Sequence, residues 1–91
     1  MTTVETRGRE IANREGFDII VARNGIPVNV RENGLMGPYD QKRKLKGTKT
    51  VDAWKRERFA PNYPGLTCDV LMGDGTTANG NTLLSTVRDS Y

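Results

Sequence analysis

Phe17-Asp18-Ile19-Ile20-Val21-Ala22-Arg23-Asn24-Gly25-Ile26-Pro27-Val28-Asn29-Val30 carries the clearest structural signal in this 91-residue chain. Phe17, Ile19 and Val21 alternate with Asp18, Ile20 and Ala22, and Asn24-Gly25 follows. Asn-Gly is the preferred pair for a two-residue type I′ turn, because both positions need φ > 0. Beyond the turn, Ile26, Val28 and Val30 alternate with Pro27, Asn29 and Arg31. With Arg23 opposite Ile26, Val21 falls opposite Val28 and Ile19 opposite Val30, so both apolar sets share one face. Pro27 then opposes Ala22 with its missing N–H turned outward, which makes the second strand an edge.

Downstream, Asn33-Gly34 and Gly37-Pro38 punctuate a loop, and the lysine and arginine density of 38–46 would make a helix there self-repelling. Thr50 is a helix N-cap, Asp52 suits the positive end of the dipole and Pro61 ends the segment, which gives a helix over about 51–60. Val51, Trp54, Lys55, Arg58 and Phe59 share one side of it, with Trp54 and Val51 expected on the sheet. Leu66, Cys68, Val70 and Met72 alternate as a strand does. Residues 82–90 fit a helical period through Leu83, Leu84, Val87 and Tyr91. Their β-branched content favours a strand instead, closing a second hairpin with 66–72. Residues 1–16 are polar and interrupted by Gly8, and Gly16 suits a helix stop. They are expected to be a weakly ordered N-terminal segment with a frayed or short helix. A single α+β domain is expected over 17–91.

The order hairpin–helix–hairpin over residues 17–88 resembles the β-grasp arrangement of ubiquitin-like domains. Those proteins act through a terminal Gly-Gly, whereas this chain closes Asp89-Ser90-Tyr91, so that carboxyl chemistry is not expected here.

Composition removes most enzyme classes. The chain contains no histidine, the commonest general base near pH 7 and the commonest metal ligand. Cys68 stands alone, which excludes an internal disulfide, and its apolar alternation partners mark it as a buried, inert thiol. Gly75-Thr76-Thr77-Ala78-Asn79-Gly80-Asn81-Thr82 departs from the phosphate-loop pattern where Asn81 replaces the lysine, and reads as a polar loop. Asp69, Asp74, Asn79 and Asn81 lack the spacing of a calcium loop. No run approaches the roughly 20 apolar residues that span a bilayer, and the first residues have no signal-peptide core. The expectation is a small cytoplasmic protein that is not an enzyme and uses no cofactor or metal.

The charge is concentrated. Residues 42–58 hold eight basic and two acidic side chains, a net +6, while the rest of the chain sums to −3. Such clustering points to an anionic partner better than a diffuse excess does. Tyr39, Trp54 and Phe59 are interleaved with these charges, as aromatics are in surfaces that stack unpaired bases. The candidate nucleic-acid or anion-binding residues are Lys42, Arg43, Lys44, Lys46, Lys49, Lys55 and Arg56. Arg58 is set apart because its stem is expected to pack beside Trp54. The sequence thus reads as a binding module contacting nucleic acid through a basic loop and helix. The alternative is a module for a protein partner, using the Pro27 edge or the sheet face away from the helix.

Overall fold

The Asn24-Gly25 hairpin forms in the expected register. In the computed structural model, which describes residues 2–39 and 41–91, Ala22 faces Pro27 and Arg23 faces Ile26. Asn24 and Gly25 take φ of 53° and 79°, the two positive values a type I′ turn requires. The strands are β1 (Ile19–Arg23) and β2 (Ile26–Pro27). The Val28 N–H still donates to the Val21 carbonyl at 2.9 Å, but the chain then turns away. The expected Ile19–Val30 pair is not made. The carbonyls of Val30 and Glu32 instead accept from the N–H groups of Glu5 and Val4, at 2.8 and 3.0 Å. Two donors that a helix start leaves orphaned are satisfied in this way.

That helix, α1 (Val4–Glu15), is longer and more firmly capped than the frayed or short helix expected in residues 1–16. The Thr3 hydroxyl accepts from the Thr6 N–H at 3.1 Å, and Gly16, at φ 89°, closes the far end through its N–H to the Ala12 carbonyl. Val4, Arg7, Ile11 and Glu15 recur at helical spacing and are buried. Gly8 lowers helix propensity by about 1 kcal/mol relative to alanine, and capping at both ends with one buried face outweighs it.

The alternating segment after the central helix forms β3 (Thr67–Val70), with Cys68 and Val70 buried and Thr67 and Asp69 exposed. It pairs antiparallel with β1, Val21 facing Cys68, so the sheet order is β2-β1-β3 and Pro27 lies on an edge as expected. The end of the β1–β3 ladder is shared with a side chain. The Leu71 N–H donates to the Asp18 carbonyl at 2.8 Å. The return bond runs through the Tyr91 hydroxyl, which accepts from the Asp18 N–H at 2.8 Å and donates to the Leu71 carbonyl.

The second hairpin does not form. Residues 82–90, expected as a strand, contribute a helix, α3 (Leu84–Asp89), which buries Leu84 and Val87. One side of β3 is occupied by β1, and on the other the Val70 carbonyl already accepts from the Ala78 N–H at 2.8 Å. The Val70 end of that second edge is therefore taken, and the tail's helical period prevails. Strand-like pairing of the tail is confined, among the described residues, to the bridge of Leu83 to Thr50. With this correction the β-grasp arrangement loses its fourth strand.

The central helix begins as expected. The Thr50 hydroxyl accepts from the Ala53 N–H at 3.2 Å, and α2 (Val51–Trp54) passes directly into a π-helical turn, Lys55–Phe59. The Ala60 N–H reaches back five residues to the Lys55 carbonyl at 2.8 Å. Trp54 is fully buried, edge-on to Phe17 with centroids 5.1 Å apart, and Phe59 and Tyr63 continue the aromatic row. One core joins α1, the sheet, the central helix and α3. The protein is therefore a single α+β domain, with three helices and a three-stranded antiparallel sheet among the described residues. Among the described residues, no helix is long and apolar enough to cross a membrane.

Candidate nucleic-acid interface

The basic loop is fastened by its backbone and leaves its side chains outside. Lys42, Arg43, Lys44 and Lys46 are all exposed. Their loop is held by arginines from three other elements. Arg14 of α1 donates to the Lys42 carbonyl at 2.8 Å, Arg58 donates to the Arg43 carbonyl, and Arg88 of α3 donates to the Leu45 carbonyl at 2.7 Å. Among the described residues, none of the four loop cations forms an ion pair.

Behind the loop lies a buried carboxylate. Glu15 has no solvent exposure. Its Oε2 accepts from the Tyr39 hydroxyl at 2.5 Å and from Arg58 Nη1 at 2.7 Å. Its Oε1 accepts from the Leu45 N–H at 2.9 Å and from Arg88 Nη2 at 3.3 Å. Four donors on two oxygens satisfy a charge whose burial would otherwise be prohibitive. The network extends outward, because the Tyr39 hydroxyl accepts from Trp54 Nε1 at 3.1 Å and the Arg88 guanidinium lies 5.8 Å from the centre of the Phe17 ring. Burial, reinforced by the bond to Glu15, pushes the Tyr39 phenol above its ordinary pKa. Burial also lowers the pKa of Arg88, against the opposing pull of Glu15.

The other sequence-designated residues sit elsewhere. Lys49 Nζ lies 3.7 Å from Glu57, with both side chains about half exposed, so its charge is partly offset. Lys55 and Arg56 border a shallow groove of about 470 Å³, with Phe59, Leu66 and Cys68 among its other lining residues. None of the loop residues 42–46 lines that groove. The seven candidates therefore divide into a loop group, Lys49 with its acidic neighbour, and a helix pair. Arg58, set apart from the candidates by its expected packing, is an internal ion-pair partner of Glu15.

Cys68 is buried, and desolvation pushes its thiol up to about 12, although Lys55 acts in the opposite direction. The protonated form dominates at neutral pH and is a poor nucleophile.

Neither a protein-family model, nor a curated protein, nor a solved structure matches this chain.

Glu15 and Arg88 are the residues that sequence reasoning missed. One signal was present. A glutamate directly before the Gly16 cap puts negative charge at the negative end of a helix dipole, where a compensating cation is expected.

Proposed function

We propose that the protein is a non-enzymatic binding module that contacts nucleic acid, largely through the phosphate backbone, by way of the basic loop 42–46. The observation that supports this reading is the way the loop is held. Four like charges close together repel and would favour a mobile segment. Here the carbonyls of Lys42, Arg43 and Leu45 and the Leu45 N–H are all bonded to the body of the domain. A cationic surface fixed in advance loses less conformational entropy when an anion binds. Lysine and arginine neutralise phosphates without reading sequence, so the proposed binding is weakly selective for sequence and strongly dependent on salt. Lys55 and Arg56 would extend the contact only for a ligand long enough to pass from the loop to the helix groove.

A salt titration tests this. If about four phosphates are neutralised, log K should fall against log[salt] with a slope near −3.6 for duplex DNA, a loss of roughly 100-fold between about 50 and 200 mM. No salt-sensitive binding to single- or double-stranded nucleic acid at about 50 mM salt would overturn the proposal.

A further inference from the structure

The hairpin stops short, and the place it vacates has the features of a second binding site. The bond from the Leu71 N–H to the Asp18 carbonyl marks residues 18 and 71 as a hydrogen-bonded pair. Alternation along an antiparallel ladder then makes Ile20–Asp69 and Ala22–Thr67 the next such pairs. Ile19 and Val21 consequently turn their own N–H and C=O groups the other way, toward the β2 side. The Val21 carbonyl is used there by Val28. Beyond Val28 the chain leaves to cap α1. Among the described residues, nothing hydrogen-bonds to the Ile19 N–H, the Ile19 carbonyl or the Val21 N–H. This is an open strand edge of the kind that proteins normally guard with charge, proline or a covering element.

A groove of about 350 Å³ runs along that edge, between β1 and α1, with Val4, Gly8, Val28 and Val30 among its walls. A Cβ on Gly8, which lines the groove, would meet nothing within 4 Å, so the helix presents space on that wall. Two of the charged residues on the groove neutralise each other, Arg9 lying 3.2 Å from Glu5. Asp18 also lines the groove and forms no ion pair among the described residues. The site is thus apolar, has free backbone donors and an acceptor, and carries one unpaired negative charge. These properties oppose those of the basic loop.

We propose that this groove takes an extended segment of a partner protein, added as a strand along the Ile19 edge. The segment has apolar side chains at alternate positions and a lysine or arginine at the end beside Asp18. Main-chain bonds to Ile19 and Val21 supply affinity, the alternate apolar positions fill the groove, and the pairing with Asp18 sets direction. The required pattern continues that of Val28-Asn29-Val30, of which Val28 is bonded to Val21 and the rest turns away.

The test uses a capped hexapeptide of alternating valine and threonine that ends in lysine, titrated into isotopically labelled protein. The Ile19 and Val21 amides should shift and gain protection from exchange. A peptide ending in glutamate should bind about 2- to 5-fold more weakly, the range of an exposed ion pair, and Asp18→Asn should erase that difference. Gly8→Leu should abolish binding by filling the groove. A peptide N-methylated on its edge-facing amides should fail against the unaltered protein, which keeps the test decisive if Gly8→Leu does not fold. Unmoved Ile19 and Val21 amides, or undiminished binding by the methylated peptide, would overturn the proposal. So would a concentration-dependent dimer using the same amides, which would assign the groove to a second copy of this chain.

Discussion

Glu15 Oε2 lies 2.7 Å from Nη1 of Arg58, 43 residues further along the chain, and Arg88 closes on the other oxygen of the same carboxylate. One negative charge therefore holds two guanidiniums and, through them, the backbone of the basic loop. Glu15→Gln keeps the shape and removes the charge, leaving two mostly buried cations facing each other. Breaking a buried pair from one side costs about 3–5 kcal/mol. The expected result is a loss of that size in urea-unfolding free energy. A loss below about 1 kcal/mol would mean that the cluster behaves like an exposed ion pair.

Tyr39 makes the same cluster sensitive to alkali. Its phenol is held above the ordinary value, mainly by burial and next by its bond to Glu15. Between the unfolded pKa, about 10, and the higher folded value, the native state binds more protons than the unfolded one. Stability is then complete below about pH 10 and is lost as pH rises toward the folded value. Cys68 and Tyr91 are raised by burial too and act in the same direction. Tyr39→Phe should lower stability at neutral pH by about 1–3 kcal/mol, because a buried bond network loses a member. Its decline in urea midpoint above about pH 10 should be shallower than that of the wild type. An unchanged slope would detach Tyr39 from the alkaline loss.

Local chemistry in the sequence was a good guide, and long-range partnership was a poor one. Asn24-Gly25 demanded positive φ at both positions, Thr50 offered a cap, and 66–70 alternated. Each of these features was legible because a few neighbouring residues determine it. The tail could not be settled that way. Leu84 and Val87 suit a helix while Thr82 and Thr86 suit a strand, and the outcome depended on Ala78 having already taken the free side of Val70. The N-terminal helix was underestimated because the signal of Gly8 is local and the capping by Val30 and Glu32 is not. Of the candidate surface, the exposed loop lysines and Arg43 were legible as charge. The carboxylate that fixes their loop was not, since Glu15 sits among polar residues and only the fold brings Arg58 and Arg88 to it.

Gly8 offers a direct measure of what the helix gives up. It lies in the interior of α1, and a Cβ there would meet no atom within 4 Å. Gly8→Ala should therefore stabilise the protein by roughly 0.5–1 kcal/mol through reduced backbone freedom in the unfolded chain. In a domain of this size that corresponds to a rise of about 2–8 °C in melting temperature. A fall would show that the open space beside Gly8 is occupied in solution.

The loop cations and their frame can be separated by mutation. Changing Lys42, Arg43, Lys44 and Lys46 together to serine removes four exposed charges but leaves the carbonyls that Arg14, Arg58 and Arg88 hold. Stability should stay within about 0.5 kcal/mol for each surface change, with no lowered melting temperature, since mutual repulsion is relieved. The salt slope of nucleic-acid binding should flatten from about −3.6 toward zero. Glu15→Gln does the reverse. It retains every loop cation and loosens the frame, so binding should weaken while the steep salt slope persists, because the number of phosphates neutralised is unchanged. A serine variant that binds as tightly as the wild type would move the contact to Lys55 and Arg56. A serine variant that melts much earlier would make the four side chains structural, against their exposure.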